Sequence, residues 1–249
     1  MAQSFNLFDM SWPEVKAALD RIKVALIPTG SCEQHGPNGT FEVDAAIANE
    51  FTKRLAERTY PLTLAVPPVH FGVSSHHMRF PGTITLKPET FMQVCTDIVE
   101  SLYRHGIRRF VFINGHGGNV AALTVVLAKI KYACPDAQLA FASPWCAQEV
   151  IKDKVTSAIT GHACEIEISM CMYLAERAVK TGSLTKGALK ITPEEYRNPH
   201  GIVIAKSWDE NTENGALGDA TRASREIGEA AVEAAIEKIA PFIEEFAQR

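Results

Sequence analysis

Along the chain, short apolar runs alternate with longer stretches in which apolar positions recur every three or four residues, the pattern of a largely parallel sheet covered by helices on both faces. Four runs read as strands: residues 23–28 (KVALIP), 62–66 (LTLAV), 109–113 (RFVFI) and 138–142 (QLAFA), each short, apolar and bounded by turn or helix signals. Helical periodicity marks residues 43–57, 88–104 and 119–132, the second opening on Pro88 at a first-turn position. A further helix begins near Glu165. Residues 182–218 are rich in Gly, Pro, Asn and charge and read as loops with little regular structure, after which a long helix spans about 219–246. The fold class is therefore α/β, a layered α/β/α arrangement with a mostly parallel central sheet, read as one domain over residues 1–249.

Composition narrows the function classes. A net charge of -4 and the lack of a basic tract give no field to concentrate nucleic acid or anionic lipid. The first residues, MAQSFNLFDMSWPEV, lack a basic segment followed by an apolar one, and no run approaches a membrane span of ~18 apolar residues, so a cytoplasmic location is expected. Six cysteines without a CxxC pair argue against a disulfide framework and a zinc ribbon.

In open α/β sheets the ligand sits at the carboxyl ends of the strands, and two polar clusters fall there. Thr29 to Gly36 (TGSCEQHG) follows the first strand and Asn114 to Asn119 (NGHGGN) the third. Glu33 and His35, one residue apart in a segment leaving a strand, project from the same face if the backbone stays extended. Asp44 follows nine residues later at a helix start, and the turn at Gly36-Pro37-Asn38-Gly39 can fold it back on the pair. Singly, these are a surface charge, a turn residue and a helix-start carboxylate. Together, carboxylates with imidazole suit Zn, Mn or Fe, and a carboxylate can bridge two ions. NGHGGN adds His116, flanked by Gly117 and Gly118, which permit close approach of substrate and whose segment opens a helix with N–H groups able to hold an anionic intermediate.

IPTGSCEQHGPNGTFEVD, HHMRFPGTITL, FINGHGGN, GHACEIEIS and GALGDATRAS resemble, in order and spacing, the signature blocks of the creatininase (creatinine amidohydrolase) family, from about Trp12 to the final helix. The resemblance implies a dinuclear metal site, Zn first with Mn or Fe as alternatives, in which Glu33, His35, Asp44 and His116 match the ligands. Glu33 and His116 would hold one ion, His35 the other, and Asp44 would bridge. It also implies hydrolysis of a cyclic or linear amide or formamide in a small molecule, and a homo-oligomer, hexamers included. Two departures stand out. Creatinine-cleaving members carry a Glu two residues after the histidine of NGHGGN, where this chain has Gly118, so one or two ions per chain are expected. Much of the family reads HGPHLP where this chain has His35-Gly36-Pro37-Asn38-Gly39-Thr40, so the pocket wall beside the metals is expected to differ.

In GHACEIEIS the resemblance puts the family's usual histidine at His162 and its usual carboxylate at Glu167, and both are expected to be catalytic. If the helix already includes His162, however, Glu165 shares its face and Glu167 is turned about 140° away, so periodicity favours Glu165. His162 suits general acid/base work, because an imidazole titrating near neutrality both accepts and donates a proton. His77 matches a family position near the pocket, and Trp145 and Trp208 are candidates to stack on an organic substrate. Cys32 beside Glu33 admits a thiol-hydrolase reading. Two further readings remain open: cleavage of a C–C or ester/lactone bond in a sugar-derived ketone by the same machinery, and a non-catalytic metal-bound scaffold, for which Gly118 is the main support.

Overall fold

The computed structural model describes residues 4–197, 200–202 and 204–249 and places five strands in one sheet, in the order β1-β3-β2-β4-β5. They are β1 (Phe5–Asn6), β2 (Val24–Thr29), β3 (Thr63–Ala65), β4 (Arg109–Asn114) and β5 (Gln138–Ala142), and every pairing is parallel. The first three residues of the N-terminal stretch, and 198, 199 and 203 of the expected loop region, lie outside the described residues.

Period two explains why the central strands read as continuous apolar runs. Val24 and Leu26 of β2 join Val111 and Ile113 of β4 in one core, whereas Ala25 and Ile27 join Phe110 and Phe112 in the other. Helix α1 (Trp12–Ala18) leads into β2; α2 (Val43–Arg58) covers the first core, while α3 (Pro88–Arg104) and α4 (Val120–Ala133) cover the second. The first core is completed by α5 (Glu165–Leu174), and, after the short α6 (Pro193–Arg197), by α7 (Arg225–Phe246). This is the layered α/β/α arrangement expected. Phe112 is fully buried, so Phe112→Ala should lower unfolding free energy by about 3–5 kcal/mol, read from urea denaturation.

Three elements depart from expectation. The final helix starts at Arg225 rather than 219, because the Ser224 hydroxyl accepts the Ile227 N–H (3.3 Å) as its cap, and residues Ala220–Arg222 form a separate 3-10 turn capped by Asp219. The described residues of the 182–218 region are, as expected, irregular apart from α6 and short 3-10 turns. β1 and α1 were not foreseen, and α1 is set by a Ser11–Glu14 capping box and Pro13 in its first turn. Among the described residues no helix is long and apolar enough to cross a membrane.

Candidate metal and catalytic site

The register Thr29↔Asn114 sets the two polar loops side by side at the carboxyl ends of β2 and β4. Asp44 lies in the first turn of α2, which approaches those ends so closely that a Cβ on Gly115 would stand 2.4 Å from the Asp44 carbonyl oxygen. The expected turn returns the chain: the N–H groups of Asn38 and Gly39 donate to the His35 carbonyl at 3.2 and 3.3 Å. Beyond β4, the Asn114 amide donates to the His116 carbonyl (2.7 Å), fixing that loop.

Glu33, His35, Asp44 and His116 converge, each at most 5% exposed. Asp44 stands between the two imidazoles, Oδ1 at 3.2 Å from His35 Nε2 and Oδ2 at 3.1 Å from His116 Nδ1. Glu33 Oε2 is 3.2 Å from His116 Nε2 and accepts the Ser74 hydroxyl at 2.5 Å, while its Oε1 lies 3.5 Å from His77 Nε2 and 3.7 Å from His162 Nδ1.

The expected choice between Glu165 and Glu167 falls to Glu167. Ala163 has φ 50 and Cys164 is extended, so α5 begins at Glu165 and His162 is outside it; the shared face argued from periodicity does not exist. Glu167 Oε2 reaches to 3.5 Å from His35 Nε2, and Glu165 instead accepts the backbone N–H groups of Ser157 (3.1 Å) and Asp219 (2.9 Å).

The donor set fits divalent cations on three grounds. Three carboxylates, Glu33, Asp44 and Glu167, are buried together, an arrangement that costs heavily without positive charge. Asp44 Oδ2 is buried and without a hydrogen-bond partner, although His116 Nδ1 stands 3.1 Å away. Moreover, the His35 Nδ1–H donates to the Glu33 carbonyl (3.2 Å), so the neutral ring points an Nε2 lone pair at two carboxylate oxygens, which needs a cation or a proton between them. Without a cation, protons take that place. Burial opposes charge on His35 and His116, but Asp44 and Glu167 for the former, and Glu33 and Asp44 for the latter, hold both well above the ordinary imidazole range. Burial and the charge of Asp44 raise Glu33; against its burial, His35 and His116 hold Asp44 low.

The opposite wall is neutral imidazole. Burial and the nearby His35 push His162 well below its usual range, and burial lowers His77 strongly and His76 to about 4. His162 Nε2–H donates to the Gln34 backbone carbonyl (2.8 Å), leaving Nδ1 as the acceptor that faces Glu33. The Gln34 side-chain amide donates to His77 Nδ1 (2.9 Å) and the Gly215 carbonyl (3.1 Å). Trp208 packs on His77 and His162 at centroid distances of 4.7 and 5.0 Å, with its indole N–H on the Gly215 carbonyl.

A cavity of about 400 Å³ opens over the cluster, lined by Gly117, Gly118, Trp145 and Trp208 among others, which places the expected substrate-contact residues on its wall with His77. Gln34, Ser74, His76 and Tyr196 also belong to the site or its wall and were not foreseen as such. Asn38 corrects an expectation: it is no wall residue but a buried strut whose amide binds the carbonyls of Ala163 and Thr185 and whose oxygen accepts the Thr185 N–H. Burial raises the Cys32 thiol pKa, which weakens the thiol-hydrolase reading. A Cβ at Gly118 would stand 2.2 Å from the Val73 carbonyl oxygen and 2.4 Å from His116 Nε2. Gly118→Ala should therefore cost about 1–3 kcal/mol in urea denaturation and displace His116.

Comparison with known proteins agrees with this fold. The chain is 31% identical over 213 residues to the mycofactocin precursor peptide peptidase of Mycolicibacterium smegmatis (84% of this chain, 79% of that one). It is 32% identical over 143 residues to the creatinine amidohydrolase of Pseudomonas putida (53% and 54%). Among solved structures, a Bacteroides fragilis protein assigned as a creatinine amidohydrolase superposes with a TM-score of 0.85 at 26% identity, covering 100% of this chain and 98% of that one. A creatininase described with Mn superposes at 0.81 with 28% identity, covering 98% of each chain, and a mutant creatininase is described as Zn-Zn type. With the family profile described as creatinine amidohydrolase matching residues 8–243, the chain belongs to the creatininase family of hydrolases.

Proposed function

We propose that the chain hydrolyses a C–N amide-type bond of a small polar substrate, a cyclic amide or formamide being the first class to test, with one or two divalent ions at Glu33, His35, Asp44 and His116. The observation that carries this reading is the buried carboxylate Asp44 between two imidazoles, with one oxygen lacking a hydrogen bond, beneath a cavity of small-molecule size. Zinc is the first candidate, with manganese or iron as alternatives; a bound ion would supply Lewis acidity and a more acidic water.

The chain's own groups supply the rest. Nδ1 of neutral His162 is the acceptor for a proton from water and its later donor to the leaving nitrogen. His77, held by Gln34, presents Nε2 toward Glu33 and contacts the substrate from that side. Trp145 and Trp208 close the cavity as apolar walls that exclude water, and Gly117 and Gly118 let a substrate oxygen approach the backbone. Glu167 is the remaining site carboxylate. The test is turnover of a panel of cyclic amides, formamides and short peptides before and after chelation. Loss on chelation and recovery with zinc or manganese is the expected result; turnover indifferent to chelation overturns it, and turnover of none of the panel by metal-loaded protein favours the non-catalytic scaffold. Sugar-derived ketones and lactones in the same panel test the C–C and ester alternative.

A second reading, a peptide substrate, is supported by the relation to a peptidase and by a neighbouring groove that shares His76, Tyr196 and Trp208 with the cavity. Turnover of short peptides but not of small amides would select it.

A further inference from the structure

Each carboxylate of the cluster has a distinct set of neighbours. Glu33 is committed to one side, with Oε2 on Ser74 and His116 and Oε1 facing His77 and His162. Asp44 is shared, one oxygen toward His35 and the other toward His116. On the His35 side, the one further carboxylate among the described residues is Glu167, whose Oε2 is 3.5 Å from His35 Nε2. We propose that Glu167 is a ligand of the second ion, which it holds with His35 and Asp44.

Three observations support the assignment. Ligand atoms of His35, His162 and Glu167 all lie within 4.8 Å of one another, as do those of Glu33, His35 and Asp44, so His35 Nε2 is within ligand-sharing distance of both Asp44 (3.2 Å) and Glu167 (3.5 Å). Glu167 is 5% exposed, lines the cavity, and is held in place by the Ala163 N–H donating to Oε2 at 2.5 Å; the φ of 50 at Ala163 is the backbone distortion that aims this N–H. Finally, position 118 cannot supply a ligand of its own, because the Val73 carbonyl and His116 occupy the space in which a side chain there would begin. The carboxylate for the second ion thus comes from the start of α5 rather than from the loop after β4.

This assignment rests on the metal-dependent reading above, and the test separates the two. Wild type, Glu167→Gln and Glu165→Gln are stripped, loaded with zinc, freed of excess and analysed for zinc per chain, with melting curves as the control for folding. Glutamine keeps an oxygen for the Ala163 N–H, so Glu167→Gln is expected to fold and to retain one zinc, its second binding at least about tenfold more weakly, while wild type and Glu165→Gln retain two. Should Glu167→Gln be unstable, Glu167→Asp, which keeps the charge but shortens the reach, should likewise weaken the second zinc alone. Two zinc ions bound to Glu167→Gln at wild-type affinity would overturn the assignment and leave Glu167 a proton-transfer role. A wild type that holds a single zinc needed for turnover would also overturn it, with the hydrolase reading intact; a wild type that holds none would overturn both.

Discussion

Asp44→Asn is expected to lose metal and to lower kcat/KM by about a thousandfold or more, because the several kcal/mol that a Lewis acid contributes to an amide-cleaving transition state would go with the ions. The size follows from position. Asp44 is the one carboxylate within 3.2 Å of both His35 and His116, so its charge serves both halves of the cluster, whereas Glu33 and Glu167 each serve one. Asparagine keeps the shape and removes the charge, and its NH2 group would oppose a cation. Elemental analysis of zinc and manganese per chain, beside turnover of the best amide substrate, checks the expectation. Both ions retained at wild-type affinity would remove Asp44 from the centre of the site.

Much of this was legible because the relevant residues are contiguous or anchored to strong patterns. β2 and β4 are buried on both faces, so their sequences are unbroken apolar runs, and the polar residues that follow them mark the sheet's carboxyl edge. Glu33, His35, Asp44 and His116 all leave those two strands or start the helix between them. What could not be read was nonlocal. Besides accepting the Gly36 N–H, the Gln34 side chain reaches His77, His162 and Gly215, which are 43, 128 and 181 residues away, and a glutamine between Glu33 and His35 carries no local sign of that role. The choice between Glu165 and Glu167 turned on where α5 begins, and the left-handed φ that sets this start belongs to an alanine, where sequence reasoning looks for glycine. β1 is two residues long and pairs only with β3, too short for any periodicity to appear.

His162→Gln should reduce kcat by about 10²- to 10⁴-fold while leaving metal content and melting temperature close to wild type. The two nitrogens of His162 do different work. Nε2–H holds the Gln34 carbonyl at 2.8 Å, a structural contact that the glutamine side-chain amide can replace. Nδ1 is the acceptor facing the cluster, 3.7 Å from Glu33 Oε1, and burial holds the ring well below the near-neutral range expected from sequence, which keeps it unprotonated but makes it a weaker base than a free imidazole. Glutamine offers no basic atom there. The comparison with Asp44→Asn then distinguishes proton transfer from metal binding: one variant keeps its ions and loses turnover, the other loses both. If His162→Gln instead lost its ions along with its activity, His162 would count as a ligand, and the acceptor of the water proton would have to be sought among Glu33, His77 and Glu167, which line the same cavity.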